Sequence, residues 1–125
     1  MRARIGAVAA VSLSLLLAAC GGNANGTAQS TADAITRAAY NNDLQGVTGP
    51  FDDALKPHVT HASVGVLADK MHALGDYQGL TFVSSDPAKN EFTFRATFSK
   101  GTMNVVERLD SDGKVAAYRV VPIAP

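Results

Sequence analysis

Between Leu74 and Leu80 the spacing of apolar residues changes from the three-to-four of a helix to the strict two of a strand, with Gly75 at the break. A chain whose helical periodicity lies wholly ahead of its strand periodicity cannot build the alternating units of a parallel sheet. It points to an α+β fold, with amino-terminal helices packed on an antiparallel meander. The clearest strand is Glu91 to Ser99, where Phe92, Phe94, Ala96 and Phe98 alternate with Thr93, Arg95 and Thr97. Three phenylalanines on one face need a cover, and the helices must supply it. Flanking strands are predicted over Leu80 to Ser84, Thr102 to Leu109 and Lys114 to Ile123. Asp86-Pro87-Ala88-Lys89-Asn90, Lys100-Gly101 and Asp110-Ser111-Asp112-Gly113 form the turns between them. On the third strand Met103, Val105 and Leu109 share a face, and Glu107 stands as an exception to that alternation.

Three helical segments are predicted ahead of the meander. Thr31 to Asn41 has a narrow apolar face of Ala32, Ile35, Ala38 and Ala39, with Ser30 or Thr31 as cap. Asn41-Asn42-Asp43 breaks it. Leu44, Val47, Phe51, Ala54 and Leu55 then recur at helical spacing, interrupted by Gly49-Pro50. Either the helix kinks at the proline, or a new one starts with Pro50 in its first turn. Residues 61–74 form the third helix, capped by Thr60, with a stripe of Val64, Leu67, Met71 and Leu74 and a stop at Gly75.

The amino terminus is organised differently. Arg2 and Arg4 precede the apolar run 5–19, which as a helix would span about 22 Å against a hydrocarbon core of roughly 30 Å. That length fits a secretory signal rather than a permanent span. It ends in Leu17-Ala18-Ala19-Cys20, which resembles the bacterial lipobox. Small side chains at Ala18 and Ala19 admit a peptidase. The Cys20 thiol takes a diacylglyceryl group as a thioether, and the amine freed by cleavage takes a further acyl chain. Two or three chains anchor stably where one is marginal. Cys20 is therefore the expected lipidation site, and it is the single cysteine of the 125 residues, so no intramolecular disulfide can form. The lipobox resemblance implies a membrane-anchored, extracytoplasmic lipoprotein of the cell envelope. Gly21 is permissive for the outer membrane where the organism has one.

The expected organisation is thus a signal over 1–19, a lipidated Cys20 with a polar, Gly- and Asn-rich flexible tether through residue 30, and one α+β domain over 31–125. The chain has eleven basic and eleven acidic residues. Arg2 and Arg4 belong to the signal, which leaves nine against eleven, or −2, with the signs interspersed. Nucleic-acid binding needs clustered Lys and Arg, so that class is excluded as a partner.

The segments Ala39-Tyr40-Asn41-Asn42-Asp43-Leu44, Phe51-Asp52-Asp53-Ala54-Leu55-Lys56, Leu74-Gly75, Phe98-Ser99-Lys100-Gly101 and Asp112-Gly113-Lys114-Val115 carry a further likeness. Through them the chain resembles small bacterial envelope domains of unknown function with a nuclear-transport-factor-2-like, or cystatin-like, shape. The resemblance implies a curved four-stranded sheet wrapped around helices as a roll, leaving a cone that in relatives can hold a small molecule.

Candidate chemistry is sparse. His58 and His61 are three apart and His72 lies eleven further on, with Asp69 as the nearest acid. A metal site needs three or four ligands in fixed geometry, so surface or capping roles are expected and no metal or cofactor is assigned. Asp52 and Asp53 as helix neighbours point about 100° apart, which suits a solvated face and the amino end of a helix better than shared acid–base work. Tyr40 and Tyr77 are placed at the rim of the core, the hydroxyl wet. Ser63, Ser84, Ser85, Ser99 and Ser111 lie in no nucleophile elbow, and residues 46–50 are no phosphate loop. No catalytic residue is assigned. The expectation is a non-enzymatic, lipid-anchored domain that binds an envelope protein or a small ligand. The alternative is a small isomerase- or dehydratase-type enzyme with a His or Asp as base in the cone. A buried acid facing an enclosed pocket would favour the enzyme.

Overall fold

The computed structural model describes residues 23–122, with side chains from residue 26 onward. The expected signal and the expected lipidation site, Cys20, lie outside the described residues. The described chain forms helix α1 (Asn23–Tyr40), a short helix α2 (Leu44–Thr48), a 3-10 turn (Lys56–His58) and helix α3 (His61–Ala73). Strands β1 (Tyr77–Asp86), β2 (Glu91–Phe98), β3 (Gly101–Leu109) and β4 (Val115–Pro122) follow. The strands form one open antiparallel sheet in the order β1-β2-β3-β4, so the architecture is α+β, helices ahead of a meander.

The largest departure from the sequence reading is at the start. Residues 23–30, expected in the flexible tether, are the first two turns of α1. Ala28 is fully buried one turn before Ala32, and Gln29 donates from Nε2 to the Leu80 carbonyl at 3.0 Å. Composition alone marks this stretch as polar and weakly helical. Packing of its alanine face on the sheet overrides that weak preference, as tertiary contacts do for most helices. α1 ends with Asn42 in the left-handed conformation (φ 55°), and Asp43 then caps α2 by accepting from the Gly46 N–H at 3.1 Å.

The second helix is shorter than its spacing suggests. Past Gly49 the chain neither kinks nor starts again at Pro50, but straps onto the sheet. The Val115 N–H donates to the Pro50 carbonyl and the Asp52 N–H to the Val115 carbonyl, each at 2.9 Å, and Phe51 forms a parallel bridge with Val115. Proline contributes no donor and fits a strap that needs only its carbonyl. Phe51, 2% exposed, goes into the core instead of onto a helix face. α3 matches its expected bounds closely. Thr60 and Ser63 form a reciprocal capping box at its start, with bonds of 3.0 and 3.1 Å. At its end Gly75 takes φ +95°, where a Cβ would also collide with Ser99. The Ser99 hydroxyl accepts from the Asp76 N–H at 2.9 Å, which ties the helix-to-strand junction to the β2–β3 turn.

β1 is longer than predicted, starting at Tyr77, and carries two irregularities, at Gln78 and at Val83. On β2 the alternation is as read: Phe92, Phe94, Ala96 and Phe98 are buried, Arg95 exposed. α1 lies across this face, reaching β1, β2 and β3. Ala28, Ala32, Ile35 and Ala39 join Phe94, Ala96, Met103 and Val105 in one core that also takes Val64 and Met71 from α3.

Truncation of the ring at the centre of this core, Phe94→Ala, is expected to cost roughly 3–5 kcal/mol, measured by denaturant unfolding. An unfolding midpoint near that of the parent chain would show that this face is not the core.

Candidate functional site

Two features stand apart from ordinary packing: an apolar cleft at one side of the helices, and a line of polar groups inside the core next to it. The cleft follows from the strap. Because residues 50–59 cross to the sheet instead of continuing α2, they leave a gap toward α3. Its volume is about 160 Å³. Ala39 of α1 and Val47 of α2 form one wall, Phe51, Leu55 and Val59 of the strap a second, and Val64 and Leu67 of α3 a third. The Tyr118 ring of β4 lies among them, 6.2 Å from the Phe51 ring, and Ser63 also lines the cleft. Among the described residues no charged side chain borders it.

Tyr118 connects the cleft to the interior. Its hydroxyl meets Thr36 Oγ1 at 2.7 Å, and Thr36 is fully buried on α1. The Thr36 hydroxyl already donates to the Ala32 carbonyl at 2.7 Å, so the phenol is the donor to Thr36. Directly across the ladder from Tyr118 on the same face is Glu107 of β3, with Phe92 opposite it on β2. Glu107 is 0% exposed, and neither carboxylate oxygen has a hydrogen-bond partner. Burial in this apolar setting pushes its carboxyl up to about 8, so at neutral pH it is mostly protonated. An ionised, unpaired carboxylate there would be far costlier than a neutral one. Burial also raises the Tyr118 phenol above its ordinary value. The Glu107 and Asp33 charges add to that rise.

A second polar group sits at the carboxyl end of α1. Tyr77 donates to Asp33 Oδ1 at 2.6 Å, and Arg37 Nε pairs with Asp33 Oδ2 at 2.9 Å. The Arg37 guanidinium lies over the Tyr77 ring, 5.0 Å from its centre. Burial first, and then the bond to Asp33, raise the Tyr77 phenol. All three side chains are engaged with one another, as in a clamp that fixes α1 to the start of β1.

The residues weighed from sequence fall elsewhere. His58, His61 and His72 are exposed. His72 packs on Tyr40, ring centres 4.2 Å apart, with Nε2 2.8 Å from the Tyr40 carbonyl oxygen. Among the described residues no three His, Cys, Asp or Glu side chains gather as metal ligands do. Asp52 caps the turn to Leu55, accepting from its N–H at 2.9 Å, rather than the helix expected to start at Pro50. Asp53 is exposed. Tyr40 and Tyr77 lie at the rim as expected, although their hydroxyls are partnered, Tyr40 donating to the Gly75 carbonyl at 3.3 Å. Glu107 was visible in the sequence as a charge on an apolar face. Thr36 and Tyr118 gave no such signal.

The buried acid has a consequence for stability. Its folded-state value lies above the unfolded carboxyl value, so the folded protein holds more protons between about 4.5 and 8. Stability should be highest below that window, fall through it by on the order of 1 kcal/mol per pH unit, and level off above it. Glu107→Gln should remove this slope, measured by urea midpoints between pH 5 and 9. Parallel pH profiles for the two proteins would contradict the burial of an unpaired carboxyl.

Compared with protein-family models, curated protein sequences and solved structures, the chain matches none significantly.

Proposed function

We propose that this is a lipid-anchored domain of the cell envelope that binds, without catalysing a reaction, one apolar group of a partner protein or of a small ligand in the cleft between the strap, α3 and Tyr118. The carrying observation is that cleft: about 160 Å³, walled by aliphatic and aromatic side chains. An engineered apolar cavity of roughly 150 Å³ stays dry and takes up benzene. The fitting occupant is therefore a single ring or branched aliphatic group, the size of one side chain. The anchoring part of the reading rests on Arg2 and Arg4, the apolar run 5–19 and Leu17-Ala18-Ala19-Cys20. No helix among the described residues is long and apolar enough to cross a membrane. The likeness to a nuclear-transport-factor-2-like, cystatin-like roll is part of the same proposal. Helices ahead of a four-stranded meander, with α1 laid across one face, support it. In that reading α1 fills the interior of the cone, and binding shifts to the cleft at its side.

A second reading is favoured by one observation. A buried carboxyl that is mostly protonated at neutral pH stands across the ladder from Tyr118, a residue of the cleft wall. That is the arrangement a small isomerase- or dehydratase-type enzyme would use, with the protonated Glu107 as a general acid rather than the His or Asp expected as base. Glu107 is fully enclosed and does not itself border the cleft, which favours binding over turnover.

Titration with benzene or indole, followed by methyl NMR, should shift the Val47, Val64 and Leu67 methyls together, with Kd on the order of a millimolar for so few heavy atoms. Leu67→Phe should abolish those shifts by filling the space. Shifts scattered over the surface, or none, would overturn the cleft as the site. For the anchoring part, Cys20→Ala should release the protein from the membrane fraction, and unchanged fractionation would overturn the anchor.

A further inference from the structure

We propose that Phe82 and Val83, on the edge strand beside the start of α1, form a lipid-contacting spur that seats the domain in the membrane interface. The inference rests on the reading that Cys20 carries the lipid. It begins with the correction at the amino terminus. A ten-residue tether would hold the domain well away from the bilayer. α1 begins at Asn23, however, and three residues span at most about 10 Å however they run. The first turn of α1 is then held close to the headgroups, and whatever part of the fold lies beside that turn faces lipid.

Three contacts fix which part that is. Tyr40 of α1 reaches the Gly75 carbonyl, Asp33 accepts from Tyr77, and Gln29 donates to the Leu80 carbonyl. Positions descend along α1 as they ascend from Gly75 into β1, so the two elements run antiparallel. From Gln29 back to Asn23 the helix rises about 9 Å, and from Leu80 to Val83 the strand advances about 10 Å. The start of α1 and the Phe82–Val83 step are therefore at one level.

These two residues are unusual for their position. Phe82 is 39% exposed and Val83 45%, two of the four large apolar side chains exposed among the described residues. β1 is an edge strand, and Val83 is the extra residue of a bulge, without a partner on β2 between Phe82 and Ser84. The Phe82 ring packs edge-on to Phe94 of the core, centres 6.1 Å apart, so one side is fixed and the other offered outward. A rigid aromatic and a bulged valine next to an anchoring point suit shallow insertion among acyl chains, where apolar burial adds to the lipid's own.

The chain has no tryptophan, so a single introduced indole reports its own depth. F82W, and V83W as a second reporter should F82W disturb the packing on Phe94, are made in the full precursor and processed in a lipidating bacterium. The products are reconstituted in phosphatidylcholine–phosphatidylglycerol vesicles carrying brominated acyl chains. V66W, on the exposed side of α3, is the comparison. With the diacylglyceryl mass found on Cys20, the indole at 82 or 83 should be quenched at least about twofold more than that at 66. Equal quenching in a protein proven lipidated overturns the spur and leaves the anchor standing. An indole already shielded without vesicles shows that protein covers the site, as a second copy would, and overturns it too. An unmodified Cys20 by mass removes the anchor and this inference together.

Discussion

The close approach of α1 to the sheet is the contact on which the other features depend. It is made with small side chains. Ala28, Ala32 and Ala39 are each fully buried, with Ile35 as the single large aliphatic among them. An alanine face lets a helix lie near a sheet whose own inner face is crowded with Phe92, Phe94 and Phe98. The rings then supply the bulk that the helix lacks. With no disulfide available, this packing and the burial it achieves must supply the stability. The clamp of Asp33, Arg37 and Tyr77 and the bond from Gln29 to Leu80 fix the helix along β1. They fix its placement more than they add to its stability, since the ion pair is largely at the surface.

Because α1 covers the inner face of the sheet, little room is left there for a ligand, and polar groups caught beneath it must be satisfied or neutral. Thr36 solves this by bonding back to the Ala32 carbonyl while accepting from Tyr118. Glu107 has no partner and is accommodated by protonation instead. The Tyr118 ring, held at its hydroxyl by Thr36, is left with its apolar body against the cleft. The same helix placement thus isolates the acid and shapes the proposed binding surface, and it leaves an apolar cleft beside the core.

Much of this was legible in the amino-acid pattern. The period-two run of β2 named its buried residues correctly, because a half-buried antiparallel strand must alternate. Thr60 and Gly75 marked both ends of α3 through capping chemistry that acts within a few residues, and the structure adds Ser63 to the amino-terminal cap. What stayed hidden depends on contacts between distant parts of the chain. Residues 23–30 look like a tether, because nothing local reveals that Ala28 will meet a sheet that begins about fifty residues later. The strap at 50–59 was misread as helix, since Phe51 and Leu55 keep helical spacing while Phe51 bridges to Val115. The cleft is a product of that strap, so it could not be foreseen from motifs. Glu107 announced itself as a flaw in the β3 pattern, but only the ladder shows that it faces Tyr118 and Phe92.

The placement of α1 from its first turns is the central claim, and amide hydrogen exchange tests it most directly. Residues 26–32 should be protected to nearly the same degree as 33–39, since one docked helix opens as a unit. Exchange of 26–32 as fast as that of the exposed 87–90 turn would mean that the helix is not docked there. The covered inner face of the sheet and the proposed short reach to the membrane would then both be lost.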